Sequence, residues 1–527
     1  MLTFSHSLLP GPGLAGVFYH IYLPMIKILY CTGIGTLLLI PFLTIAQNDD
    51  KRDYIWVLGD PPNIPAQEFG GTMLDFHQSP PKVSFFNIQY PLTAISTISD
   101  AQGNLEFYSN ACHLIGRDHA IMENGTPINP GYLFDNYCSQ VGYPLMQVIL
   151  SLPIPGQSGR YAVFHLRADH INSIFTVADL LYSEVETDGN GKSKAVKRNV
   201  PLAKGKFSDY ITAVRHGNGR DWWVVVPNWQ GTQYCTLLLT DHGVQGPFYQ
   251  ISQKPLERGY PGQIAFSPDG SWLADCRGDS TIRLARFDRC AGKFYDEQVF
   301  SIVSAISPAM GCAFSPNSRL LYVSTPEFIF QYDMSASNIR ASKQIVAEYD
   351  GFTYNGPRTS FFQGMLAPDN KIYFTATNAT WHLHIIHQPD SLGTACTVEQ
   401  HALKLASKHS FCVPNFPYFR LYDLPGSVCD TLGINGPVSA LPEPGLPVRQ
   451  AITFYPNPST GALYWSVAGS EAQRLLVYSA TGQRVLEQTC TAAYADLSGL
   501  PDGLYWVLLL NEGGRELGRG RVLLLRE

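Results

Sequence analysis

Two short stretches of the 527-residue chain gather side chains whose types and spacing could do chemistry. HGNGRDWW brings His216, Arg220, Asp221, Trp222 and Trp223 within eight residues. Indole faces supply contact area while the guanidinium and carboxylate orient a ligand, so the cluster predicts a platform for a sugar or a peptide. The alternative is that the tryptophans divide, one packing between sheets and the other facing out. WHLHIIHQPD sets His382 and His384 on one face of a strand and His387 on the other. Two imidazoles two residues apart can ligate zinc, but the sequence identifies no third ligand. Asp275, Asp279 and Asp288 are carboxylates that could pair across the mouth of a ring, as glycoside hydrolysis requires, or could simply be solvated.

Other catalytic signatures do not occur. The chain has no GxSxG elbow, HExxH helix or P-loop, and TDGNGK at 187–192 lacks the spacing and terminal glutamate of a calcium loop. GPGLAG near the N-terminus has the spacing of a dinucleotide fingerprint without the strand before it or the helix after it. No catalytic residue, metal set or cofactor is therefore assigned. A net charge of −6 and a pI near 6.2 give no electrostatic footprint for nucleic acid or an anionic membrane.

What must position these side chains is a set of short strands. Apolar residues make up 45% of the chain and charged residues 15%, with 46 glycines and 37 prolines, which points to an all-β globular protein rich in tight turns. QIAFSPDGSWLA (263–274), GCAFSPNSRLLYVS (311–324) and GMLAPDNKIYFTA (364–376) share one plan: an apolar strand, a turn, and a second apolar strand. Pro268, Pro316 and Pro368 preset the turn, and Asp269, Asn317 and Asp369 bond the local backbone or tolerate left-handed geometry. TISDAQGNLEFYSN (97–110) and AVRHGNGRDWWVVVP (213–227) repeat the scheme. The spacing, about fifty residues, leaves room for the four strands of one propeller blade. Units begin near 97, 160, 211, 262, 311 and 361, and a seventh forms if DYIWVLGD (53–60) pairs with FRLYD (419–423). The expectation is one β-propeller over residues 47–432, with seven blades; an array of β-sandwiches is the alternative. The ordered set IWVLGD, ISDAQGNLEFYSN, HGNGRDWW, FDRCAGKF, LAPDNKIY and VPNFPYFRL resembles exported propeller proteins of Gram-negative bacteria, a group to which no reaction is attached.

The N-terminus divides at Met25. MIKILYCTGIGTLLLIPFLTIAQ has an early lysine, an apolar run and small residues before a cleavage point, so residues 25–46 read as a signal peptide cut between Ala46 and Gln47, with 1–24 as an upstream extension. A retained anchor would have to accommodate Gly33, Gly35 and Pro41, and Tyr30 before Cys31 argues against a lipoprotein. No membrane-spanning segment is then expected in the mature chain. Beyond the signal stand ten cysteines without a CxxC pair. Disulfides are expected in an exported chain, with Cys276–Cys290 and Cys396–Cys412 as close candidate pairs.

After a proline-rich linker at 433–451 come FYPNPSTG (454–461) and the strand-like runs ALYWSV, RLLVYSA, RVLEQT, GLYWVLLL and RVLLLRE, the plan of a small β-sandwich over 452–527. The order FYPNPSTG, VYSATGQRV, DLSGLPDGLYWVLL and a basic, apolar last strand resembles the type A C-terminal sorting domain of the type IX secretion system. By that resemblance Pro456, Asn457, Pro458 and Gly461 mark the first strand and Gly503 and Tyr505 the late one. The resemblance further implies that the outer-membrane export machinery reads the domain and removes it after transit, leaving the cargo secreted or attached to the cell surface. An ordinary adhesive module is the alternative.

Two functions remain open at this stage. One is a propeller that binds an extracellular glycan, protein or other ligand on its ring face. The other is a propeller hydrolase or lyase acting on polysaccharide or peptide, whose site residues would come from separate blades and leave no local motif.

Overall fold

The computed structural model describes residues 50–60, 68–171, 174–256, 262–302, 311–354, 356–409, 411–432, 453–466, 474–479, 483–490, 492–511 and 516–526. The signal-peptide reading, with Ala46 and Gln47, and the linker fall outside them. The protein is a nearly all-β propeller followed by a β-sandwich, and Tyr132–Tyr137 is the one α-helix among the described residues.

Seven antiparallel sheets precede residue 410 among the described residues, five of four strands and two of three. The five hairpins read from turn chemistry are all present: Ser96–Ser99 with Leu105–Ser109, Thr212–Arg215 with Trp222–Pro227, Gln263–Phe266 with Trp272–Cys276, Gly311–Phe314 with Leu320–Ser324, and Phe361–Leu366 with Ile372–Ala376. In the turns, Asp269 and Asn317 side chains accept the N–H two residues on, from Ser271 and Arg319, each at 3.0 Å. The left-handed position falls one residue later, on Gly270, Ser318 and Asn370. The third sheet starts earlier than the expected 160: its innermost strand is Ile149–Pro153, followed by the long strands Arg160–Ile171, Ile174–Thr187 and Ser193–Phe207.

Burial follows the radius of the ring. The first two strands of the fourth sheet are buried almost throughout, whereas its outer strand, Gly243–Ile251, is largely open to water. Successive sheets meet through their first strands, and the ring closes where the last strand of the seventh sheet, Val398–His409, reaches the first sheet. There the Lys408 N–H donates to the Glu68 carbonyl at 2.7 Å and the Ser407 N–H to Thr72 Oγ1 at 3.0 Å.

Closure differs from the expected strand pair. Ile55–Asp60 pairs with Gly70–Asp75, and residues 419–423 contain no strand. Instead the segment 412–423 meets the inner strands, whose free edges carry backbone groups that need partners when water is excluded. Asn415 supplies many of them. Its N–H donates to the Ile95 carbonyl, and its Nδ2 to the carbonyls of Ile149 and Ile211, all at 2.9 Å. Its Oδ1 accepts from Gln147, whose Oε1 accepts the Ile264 N–H at 3.0 Å. Gln263 continues the chain, accepting the N–H groups of Cys312 and Gly364 at 3.0 Å. Three amide side chains thus join the inner edges of five consecutive sheets, and the Asn415 N–H adds a sixth. Arg420 then grips Asp53 through two bonds of 2.7 and 2.8 Å, and Arg215 Nη2 donates to the Phe419 carbonyl at 3.0 Å.

The disulfides are Cys112–Cys138 and Cys290–Cys429, and Cys276, Cys396 and Cys412 are buried free thiols. Both candidate pairs are therefore corrected: Cys276 is buried in a strand while Cys290 lies in a turn, and Cys396 ends a 3-10 turn while Cys412 lies in the closing segment, so nearness in sequence does not bring either pair together. Cys290–Cys429 closes a separation of 139 residues and pins the end of the closing segment to the fifth sheet. Cys429→Ser should lower unfolding free energy by about 3 kcal/mol, below the loop-entropy limit because Arg420 and Asn415 still hold the segment. Denaturant unfolding of the oxidised variant and parent checks this.

The tail forms two sheets, Thr453–Tyr455, Ala462–Ser466 and Tyr494–Asp496 in one, and Arg474–Ser479, Arg484–Thr489, Gly503–Leu510 and Glu516–Leu524 in the other. Its core, including Phe454, Leu463, Trp465, Val477, Val507 and Leu524, is its own. Pro456, Asn457 and Pro458 lie in the turn after the first strand rather than in it. Asn457 bridges that turn to the last strand, its Nδ2 donating to the Arg521 carbonyl and its Oδ1 accepting the Leu523 N–H, both at 2.9 Å. A Cβ at Gly461, which has φ +139°, would meet the Ser498 backbone at 3.0 Å. The Tyr505 hydroxyl donates to the Pro501 carbonyl at 2.8 Å.

Candidate functional site: a braced groove

The HGNGRDWW residues come together as a corner whose groups are engaged within the protein. Trp222 is 1% exposed and lies under the Arg215 guanidinium, 4.2 Å from the ring centre. Trp223 is 6% exposed, its indole N–H donating to the Arg289 carbonyl at 2.9 Å. Neither indole faces out. Arg220 is held by Asp221 at 2.8 Å and by both oxygens of Asp241 at 2.9 Å. His216 Nδ1 accepts the Asn218 N–H at 3.0 Å, and burial lowers its pKa.

The histidines of WHLHIIHQPD separate. His384 is fully buried, which pushes its pKa down to about 3, and His387 pairs with Glu399 at 2.8 Å. His382 is partly buried, which again lowers its pKa. Among the described residues no group of three or more His, Cys, Asp and Glu side chains is placed to hold a metal. Asp279 and Asp288 accept backbone N–H groups in their own turns, from Thr281 at 3.0 Å and Cys290 at 2.8 Å. Asp275 is buried inside the fifth sheet.

The propeller axis leaves little room. A cavity of about 50 Å³ remains among Gln147, Thr212, Gln263, Met365, Phe416 and Asp53, and Asp53 is already bound by Arg420. Such a space suits a water or two. A groove of about 590 Å³ instead lies beside the long third sheet, where that sheet meets the fourth. Ile171 and Ile174 form one end, Lys204, Lys206 and Phe207 one wall, and Trp229, Gln230, Gln233 and Tyr249 the other. Aromatic surface beside amides is the composition of a carbohydrate or peptide site.

The turn carrying Trp229 and Gln230 is fastened from every side. Asn228 Oδ1 accepts the N–H groups of Thr232 and Gln233 at 2.8 and 3.1 Å, and its Nδ2 donates to Thr232 Oγ1 at 2.8 Å. The Trp229 N–H donates to the Lys206 carbonyl at 2.9 Å, tying the two walls. Below, two arginines of the fifth sheet reach its carbonyls, Arg277 donating to Trp229 at 3.2 Å and Arg283 to Gly231 at 2.7 Å. Asp275 holds both arginines, at 3.4 and 2.7 Å, and accepts the Tyr210 hydroxyl at 2.7 Å. Burial alone would raise the Asp275 pKa, but the two guanidiniums and the hydroxyl outweigh it and hold the carboxyl below its usual range. Buried ion clusters cost desolvation and contribute little net stability. Here the cluster fixes where a surface turn points.

Sequence reasoning did not find the groove. NWQGT has the Asn and Gly of a tight turn with a tryptophan between them, and that was the local signal. The partners that make it a wall lie in three sheets.

Residues 453–518 match the secretion system C-terminal sorting domain. No curated protein matches the chain in sequence. Among solved structures, a putative 6-phosphogluconolactonase from Bacteroides uniformis is 10% identical, with 67% of this chain and 97% of that one covered and a TM-score of 0.41. The periplasmic gluconolactonase PpgL of Pseudomonas aeruginosa is 11% identical, with 68% and 99% covered and a TM-score of 0.36. PorZ, a surface component of the type IX secretion system of Porphyromonas gingivalis, is 11% identical, with 86% and 68% covered and a TM-score of 0.26.

Proposed function

We propose that this chain, which a type IX sorting domain directs to the cell surface or the medium, is an extracellular glycan-binding propeller whose ligand lies in the groove between the third and fourth sheets. The observation that carries this reading is the braced turn 228–233. A buried carboxylate and two buried arginines hold in place a turn whose half-buried Trp229 and exposed Gln230 line the larger of the two cavities described above. Ring faces of Trp229 and Tyr249 can cover the apolar face of a pyranose, while Gln230 and Gln233 offer amides to its hydroxyls. The groove is open, which suits a point along a chain rather than an enclosed small molecule.

Trp229→Ala should weaken binding of the recognised polysaccharide at least ten-fold with the melting temperature within about 3 °C of the parent, since one hot-spot aromatic is worth about 1.4 kcal/mol or more. A glycan array followed by affinity electrophoresis of parent and variant measures it. Equal retardation of the two proteins by the same polysaccharide would remove the groove from the reading.

A further inference from the structure

Lys204 and Lys206 stand on one wall of the groove, both exposed. Neither makes an ion pair among the described residues, which is also true of Lys51, Lys82, Lys192, Lys254, Lys293, Lys343 and Lys404; what sets these two apart is that they line the same groove. The lining includes no aspartate or glutamate. This is a locally positive groove on a chain whose net charge is −6. Two lysines thus share one lining with a tryptophan, a tyrosine and two glutamines, and no carboxylate. An anionic ligand seated in the groove would supply counter-charges to both.

We propose that the groove recognises an anionic polysaccharide, with carboxylate or sulfate groups of the glycan supplying the charges that Lys204 and Lys206 lack. The inference rests on the glycan-binding reading and adds the ligand's charge class. The lysines are anchored for this purpose by the strand Ser193–Phe207, and the Lys206 carbonyl is bonded to Trp229, so cationic wall and aromatic wall keep a fixed separation. An ammonium is a point charge on a flexible stem, so it tolerates either a uronate or a sulfate. The aromatic rings and amides set the sugar.

The test uses the full exported chain, with polygalacturonate, chondroitin sulfate and neutral dextran as probes in affinity electrophoresis and titration calorimetry. The parent should bind polygalacturonate, chondroitin sulfate or both, and dextran at least ten-fold more weakly. Binding should weaken several-fold between 50 and 300 mM salt, because exposed charge attraction is screened. K204Q/K206Q should reduce anionic binding at least ten-fold, flatten the salt dependence and leave the melting temperature unchanged. Which probe is preferred tells carboxylate from sulfate. If dextran binds as well as the anionic chains, or K204Q/K206Q binds them like the parent, the charge class is overturned, and loss of that binding in Trp229→Ala shows that the groove still binds glycan. If no polysaccharide binds while an acidic peptide does, both this inference and the glycan reading fall.

Discussion

Removal of residues 452–527 should leave a folded propeller that stays in the periplasm. The tail's core is made of its own side chains, from Phe454 to Leu524, and none of the propeller's hydrophobic clusters includes a tail residue. The propeller also carries its own closing devices, the Val398–His409 strand, the Asn415 bonds and the Cys290–Cys429 disulfide, all before residue 430. A cut after them removes no stabilising contact from that list. The sorting domain at 453–518 is what the type IX machinery reads, so export should fall from nearly complete to undetectable. Immunoblots of periplasm, outer membrane and medium give the distribution, and protease resistance of the periplasmic pool shows whether the ring is closed. The converse arm fuses residues 441–527 to an unrelated periplasmic protein in a host with type IX machinery, where the passenger should reach the surface or medium. Surface delivery of the truncated propeller, together with retention of the fusion, would mean that the tail is not the export signal of this chain.

The hairpins were legible because a turn is local. Pro268, Asp269 and Gly270 carry the whole instruction for reversing the chain, and three copies of that instruction at similar spacing expose the ring. Closure was not legible. Asn415 bonds to residues 204 and 266 positions away, and nothing in VPNFPYFRL marks an asparagine as the partner of three inner strands. The cysteines failed for the same reason: Cys290 has a nearer candidate in Cys276, but Cys276 lies in the buried second strand of its sheet while Cys429 comes back from the far end of the chain. The HGNGRDWW cluster drew notice because its polar and aromatic residues are adjacent, and adjacency is also what a tight corner needs to satisfy its own groups. In the groove the order is reversed. Its residues are unremarkable singly, and the arrangement exists only once three segments meet.

Asp275→Ala should destabilise the propeller by about 5 kcal/mol and loosen the groove, although Asp275 is buried and does not line it. In a sequence this carboxylate is indistinguishable from a solvated one. In the structure it pairs with Arg277 and Arg283, which are 2% and 1% exposed, and removal takes away the carboxylate that both guanidiniums share. Asp275→Asn keeps the shape and loses the charge, so its cost should be smaller but of the same sign, about 3 kcal/mol. The triple change D275L/R277M/R283M removes all three charges together and should recover much of the stability, since apolar replacements of similar volume can stand in for a buried ion cluster. It should not recover ligand binding. Without the guanidiniums the carbonyls of Trp229 and Gly231 lose two of the donors that hold the turn, which is left to Asn228 and the Trp229 N–H bond to Lys206, and the position of the Trp229 ring loosens. Denaturant unfolding gives the first quantity and polysaccharide retardation the second. A triple variant that is stable and binds like the parent would make the cluster a purely structural element, whereas a stable variant that has lost binding separates the two roles, stability replaceable by packing and the position of the turn dependent on these three charges.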